Sequence, residues 1–218
     1  MVSLAPLDSV GWLSKQPGSL QEWAARVGSW RTYRRGQSLY QADQAPDALY
    51  GLAEGCLEVS VPLPDGEVAS VYFAELGFWA GESAILSHAT RTMSLTAATE
   101  SRVFRIAGVR ILELLERSPE FWRCFYALSH ANATLAILEY ARALNASNKA
   151  RVCTMLLRLA KSTDKVTVTQ AKIAELLGVT RSTIQRVLAE LVGEGVISVS
   201  YASITVLDRT KLYRAMRS

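Results

Sequence analysis

Between residues 169 and 191 two helical apolar patterns are separated by a single glycine, and that spacing leaves few ways to fold the segment. Thr169 reads as the cap of a short helix in which Ile173, Leu176 and Leu177 turn inward. Gly178 permits a sharp turn, with Val179 packed beneath it. Thr180 caps a second helix whose inner face is Ile184, Val187, Leu188 and Leu191. Two helices joined by a tight turn containing glycine form a helix-turn-helix, and the second helix of that motif enters the major groove of duplex DNA. Its outward positions here are Arg181, Ser182, Gln185 and Arg186. Arginine donates two bonds to guanine and glutamine pairs with adenine in the same way. The hydroxyls of Thr180 and Ser182 suit phosphate contacts, and Thr169 completes the DNA-facing set. After Gly193-Glu194-Gly195, residues 196–199 and 204–207 predict a hairpin, the wing of a winged helix.

Charge agrees with a polyanion partner for this end of the chain. The net charge of +4 over 218 residues divides unevenly. Residues 149–218 hold twelve Lys/Arg against five Asp/Glu, whereas residues 1–148 hold twelve against fifteen. A solvated basic surface would give the same count. Half of the residues are hydrophobic, enough for a packed core. The most apolar stretch, residues 126–140, is broken by His130, Asn132 and Glu139 before it could cross a bilayer. No secretory signal is visible, and a cytoplasmic protein with no membrane partner is expected. Cys56, Cys124 and Cys153 form neither a disulfide framework nor a zinc site, so no metal is expected.

Residues 36–106 have a different texture: glycines and turn pairs separate short β-type runs at 57–61, 68–73, 92–99 and 102–106. Such spacing predicts an antiparallel sandwich or barrel. Trp12, Trp23 and Trp30 lie in a leader that reads as more helical. Glycine is then absent from residue 109 to residue 177. Ser118-Pro119-Glu120 reads as the start of a long helix, with Phe121, Phe125, Leu128, Leu135 and Leu138 recurring at spacings of three and four around Asn132. Phe125, Leu128 and Leu135 are expected at a seam with a second copy, Asn132 fixing its register. Packing on the chain's own sandwich is the alternative. Residues 145–148 break the run, and a helix over 149–161 follows. The expected organisation is a roll with its leader over 1–117, a long dimerisation helix over 118–145, and a winged helix-turn-helix over 146–218.

One further cassette carries chemistry. Gly81-Glu82-Ser83 opens a short helical turn that leads to Arg91-Thr92. Backbone N–H groups beside an arginine and a hydroxyl can hold a phosphate, and Glu82 can accept from sugar hydroxyls. A Glu–Arg ion pair inside a roll would give the same letters for structural reasons alone. No phosphate loop of the Walker type, no histidine paired with a nucleophile and no metal-ligand spacing points to an enzyme.

A glycine-punctuated roll, the Gly-Glu…Arg-Thr cassette, a long helix and a C-terminal winged helix, in this order from about Trp30 onward, resemble the cyclic-AMP receptor protein / Fnr family of bacterial transcription regulators. The most specific stretch is Thr180-Arg181-Ser182-Thr183-Ile184-Gln185-Arg186. The resemblance implies an α+β chain with an N-terminal antiparallel β-roll of the cyclic-nucleotide-binding type, a double-stranded β-helix. It implies a homodimer reading a pseudo-palindromic operator on double-stranded DNA, with RNA polymerase as a further partner. It also makes Gly81 and Glu82 a ribose-binding pair, Arg91 and Thr92 a phosphate-binding pair, Ser83 a backbone donor, and Arg181 and Arg186 base readers. Ser182 departs from the glutamate often found there. Ala136 and Ile137 stand where cyclic-AMP-dependent members place adjacent hydroxyl residues, with Asn132 and Thr134 a turn away. The effector therefore stays open: cyclic AMP, another cyclic nucleotide or other ligand, or none, the pocket then being vestigial. A cyclic-nucleotide receptor module without DNA function is a third alternative. An iron–sulfur cluster would need four thiolates, and His88 and His130 are the only histidines for a haem, so neither cofactor is expected.

Overall fold

The structure, a computed structural model, describes residues 1–144, 146–160, 164–201 and 203–217. They form two compact units, Met1–Glu139 and Tyr140–Ser218. The first opens with a turn-rich leader and helix α1 (Gly18–Val27), followed by β1 (Ser29–Tyr33), β2 (Ser38–Tyr40), β3 (Ala48–Glu54), β4 (Leu57–Pro62), β5 (Val68–Ala74) and β6 (Trp79–Ala80). Helix α2 (Glu82–Ser87), β7 (Ser94–Ala97), β8 (Ser101–Ala107), α3 (Gly108–Arg117) and α4 (Trp122–Leu144) follow, residues 140–144 of α4 falling in the second unit. The run expected to be helical to Trp30 ends earlier. Trp30 lies in β1, paired with Phe104 of β8, where its indole packs edge-on against the phenyl ring at 4.9 Å.

Two four-stranded antiparallel sheets build the roll, in the orders β1-β8-β3-β6 and β2-β7-β4-β5. β3 explains how the roll and the helices share one scaffold. Every residue from Ala48 to Ala53 is buried, because alternate side chains serve two cores. Ala48, Tyr50 and Leu52 join Leu57, Val59, Leu95 and Val103 inside the roll. Leu49 and Ala53 point the other way, to Leu13, Leu20, Trp79, Phe104, Ile111 and Phe125. Gly51 is required at the crossing: a Cβ there would stand 2.6 Å from the ring of Trp79, its partner on β6.

The second core corrects the expectation for the long helix. A 3₁₀ turn at Pro119–Phe121 precedes α4, so the helix proper starts at Trp122. Phe125 is 0 % exposed, in ring contact with Trp12 at 5.4 Å, and Leu128 is buried in the same cluster. The leader clamps this face, the indole Nε1 of Trp12 donating to the carbonyl of Cys124 at 2.8 Å. Phe125 and Leu128 therefore belong to the chain's own core and not to a seam, as packing on its own sandwich requires. Asn132 is bonded inside the chain and Leu135 is half-buried. The face of α4 that stands free is Tyr126, His130, Ala133, Ile137, Tyr140 and Leu144, at spacings of four and three.

The second unit contains α5 (Asn148–Leu159), β9 (Lys165–Val166), α6 (Gln170–Leu177), α7 (Arg181–Gly193), β10 (Ile197–Ser200), β11 (Ser203–Val206) and α8 (Arg209–Arg217). Ser147 caps α5, its hydroxyl accepting from the amide of Ala150 at 3.1 Å. Asn145 and Lys161, expected at the break and at the end of the next helix, lie outside the described residues. Val152, Cys153, Leu156, Ile173, Ile184, Leu188, Leu191 and Leu212 are buried together in the helical core of this unit. Burial pushes the Cys153 thiol up to about 12, the character of an inert apolar side chain.

Candidate functional site

The cassette between β6 and β7 is built around two buried charges of opposite sign. Gly81 takes φ +114°, and a Cβ there would meet Arg91 Nη1 at 2.6 Å and the Ala48 carbonyl at 2.7 Å, so glycine alone fits. Glu82 then opens α2 and is 2 % exposed. Its Oε1 accepts from Asn132 Nδ2 at 3.0 Å and from Ser129 Oγ at 3.2 Å, both on α4. The same Asn132 amide donates to the Trp79 carbonyl at 3.1 Å. Glu82 Oε2 is buried without a partner. Burial raises the Glu82 pKa, and the Asn132 and Ser129 bonds offset only part of that rise.

Arg91, equally buried, donates through Nη1 to the Gly81 carbonyl at 3.0 Å and through Nη2 to Asp47 Oδ1 at 3.0 Å and the Ala48 carbonyl at 2.6 Å. Its guanidinium lies over the Tyr40 ring, 4.1 Å from the centroid. Arg91 Nε is buried and unpartnered. Asp47 also accepts from Tyr50 at 2.7 Å and Arg105 at 3.0 Å. Burial raises its pKa, but the bonds from Tyr50, Arg105 and Arg91 outweigh it and leave the group below its ordinary value. Glu82 and Arg91 thus do not pair with one another; each has its own partners and one open polar atom. A buried acceptor and a buried donor left open invite a ligand that carries a hydroxyl and an anion.

Gly81, Glu82 and Arg91 are therefore brought together. Ser83, in the first turn of α2, and Thr92 are exposed. Ala136 and Ile137 are exposed too, and it is Asn132, a turn earlier, that reaches the cassette. Sequence reading missed Asp47 and Tyr40, which hold Arg91 in place. An acid directly before the apolar run of β3 was the available signal.

In the second unit Thr169 Oγ1 accepts from the amide of Lys172 at 3.2 Å, capping α6. Gly178 ends α6 at φ +63°, and Thr180 caps α7 by accepting from the amide of Thr183 at 3.2 Å. The Thr180 hydroxyl also lies 2.9 Å from that of Ser182 and 2.8 Å from that of Thr183. It caps α7 and remains exposed at the start of the helix. Arg181, Ser182, Gln185 and Arg186 form the exposed face of α7, over a buried row of Ile184, Val187, Leu188 and Leu191. Lys149 bridges to Glu190 at 2.7 Å and Glu194 at 2.8 Å, and Arg151 donates to the Leu177 carbonyl, so α5 fixes both helices of the motif.

Residues 30–118 match the cyclic nucleotide-binding domain family, and residues 150–215 match the Crp-like helix-turn-helix domain family. The CRP-like cAMP-activated global transcriptional regulator of Mycobacterium tuberculosis is 26 % identical over 199 residues, 85 % of this chain and 87 % of that protein. Transcriptional regulator LdrP of Thermus thermophilus is 28 % identical over 194 residues, 84 % of this chain and 95 % of LdrP. The solved structure of the c-di-GMP responsive global regulator CLP of Xanthomonas campestris shares the fold with a TM-score of 0.54, at 18 % identity, over 88 % of this chain and 99 % of that one. With the two domains in this order, the chain belongs to the Crp–Fnr family of DNA-binding transcription regulators.

Proposed function

We propose that the chain is a cytoplasmic, homodimeric regulator whose DNA reading is controlled by a cyclic nucleotide in the roll. The open Oε2 of buried Glu82, in the same cassette as the open Nε of buried Arg91, carries this reading. A ribose hydroxyl can donate to the first, and a phosphate oxygen can accept from the second. A relative described as cAMP-activated and a fold neighbour described as c-di-GMP responsive support the ligand class. Because Glu82 is bonded to Ser129 and Asn132, a ligand that engages Glu82 acts directly on α4. The free face of that helix, from Tyr126 through Ile137, supplies the dimer seam. Ligand then shifts the population toward the dimer geometry in which both α7 helices enter successive major grooves of a pseudo-palindromic operator. RNA polymerase is the partner at the promoter.

One observation favours a second reading, a regulator that needs no ligand. Arg91 already has Asp47 and two carbonyls, so the cassette is held without an anion. Calorimetric titration with cyclic AMP, cyclic GMP and cyclic di-GMP separates the two. Saturable heat with one nucleotide, lost in Glu82→Gln and Arg91→Ala variants that remain folded at the titration temperature, supports the effector reading. Absence of heat with all three at two temperatures supports the ligand-independent one.

A further inference from the structure

The wing of the second unit carries an aromatic side chain that the fold does not use. β10 is the edge of the three-stranded sheet β10-β11-β9, and after buried Ile197 its next three residues, Ser198, Val199 and Ser200, are all exposed. A strand lying on the domain would alternate; three exposed positions in a row mean that both faces of β10 stand open. β11 behaves differently, with Ser203, Ile204 and Val206 buried. The hairpin is closed at its tip by the Ser200 and Ser203 hydroxyls, 2.6 Å apart, in register with the last strand pair. Beyond that clasp stands Tyr201, 102 % exposed.

Two features argue that this tyrosine is placed for contact with something outside the chain. Tight hairpin turns favour Asn, Asp or Gly, and the position that follows β10 is instead Tyr201. A tyrosine ring left wholly in water also forgoes the burial that aromatic residues ordinarily obtain. The position of the hairpin indicates the partner. Its base is tied to the end of the reading helix, the Val196 amide donating to the Leu191 carbonyl at 3.0 Å and the Leu207 amide to the Val196 carbonyl at 2.9 Å. The wing is thus continuous with α7, and a duplex seated on α7 is the surface nearest to hand.

We infer that Tyr201 is a second DNA-reading element, whose ring packs on sugars and base edges flanking the base pairs met by α7. Val199 of β10, exposed two residues earlier, extends the apolar contact. This rests on the reading of α7 as the recognition helix.

The test is selection of bound duplexes from a library with a randomised core and flanks, using the full chain with and without cyclic AMP. Anisotropy titrations of the winning duplex at several salt concentrations follow. Tyr201→Ala is expected to keep the core motif, lose the flanking preference, weaken binding by roughly 5- to 100-fold, and leave the salt slope unchanged. Tyr201→Phe retains most of the affinity. Equal affinity and equal flanks for Tyr201→Ala would overturn the inference. So would a Tyr201→Phe loss as large as that of Tyr201→Ala with a shallower salt slope, which would mark a phosphate contact through the hydroxyl. If the wild-type chain enriches no core motif under either condition, the recognition-helix reading falls and takes this inference with it. Enrichment of a core without flanks by the wild type removes the wing alone.

Discussion

The side-chain amide of Asn132 lies 3.0 Å from the carboxylate of Glu82, fifty residues away in the chain, and ties the long helix to the Gly81-Glu82 cassette. Glu82, at the start of α2, has one oxygen satisfied by α4 and one open. Any change at the open oxygen, protonation or a bound hydroxyl, is felt by α4 through the other.

Removing the link has a defined cost. Asn132→Ala leaves Glu82 with Ser129 as its remaining side-chain donor in a buried setting. A lost hydrogen bond to a buried charged group costs about 1.5–3 kcal/mol. Urea denaturation of the variant is expected to show a loss in that range with an unchanged slope.

The pH dependence has a sign that follows from burial. The Glu82 pKa is raised on folding, so the folded chain binds a proton more readily than the unfolded one. Stability from this group is full below the ordinary glutamate range and falls as pH rises through the raised value. Asp47 acts oppositely, its lowered pKa giving stability that is present above the ordinary aspartate range and lost as pH falls through the lowered value. Melting temperatures measured across mildly acidic to neutral pH should therefore decline less steeply for Glu82→Gln than for the wild type.

Asp47 is the countercharge of buried Arg91, 3.0 Å from its Nη2. Asp47→Ala strips the buried guanidinium of its countercharge, which costs about 3–5 kcal/mol for a fully buried pair. Asp47 is half-exposed and solvent screens part of this, so about 1–3 kcal/mol is expected here by chemical denaturation.

The two faces of α4 should answer differently to substitution. Phe125→Ala opens the core shared with Trp12 and should cost about 3–5 kcal/mol. Ile137→Glu, at a position 68 % exposed in the single chain, should leave its fold intact and shift sedimentation from dimer to monomer. A monomeric wild type, or a dimeric Ile137→Glu, would remove the outer face of α4 as the seam.

Those two faces also show where sequence reading succeeds and where it stops. The helix-turn-helix was legible because its signals are local: Thr169 and Thr180 cap, Gly178 turns, and Ile184 to Leu191 mark one side. The wing appeared within a residue or so of its observed strands, again from local alternation. α4 carries apolar residues on two sides, and a period of 3.6 does not say which side meets the chain's own core. That was decided by Trp12, more than a hundred residues away. In the cassette, Gly81, Glu82 and Arg91 are singled out through the family resemblance, but Asp47 lies 44 residues from the arginine that it holds. Its part depends on strand order, which no local pattern contains.

The control of DNA reading by the cassette is tested most directly by the affinity of the full chain for its selected operator duplex, measured by anisotropy with and without the nucleotide that binds. Nucleotide is expected to tighten binding at least about tenfold in the wild type, a coupling of roughly 1.4 kcal/mol, and to have no effect in Glu82→Gln. Equal affinity with and without nucleotide in the wild type would contradict the account and leave a regulator whose roll is structural.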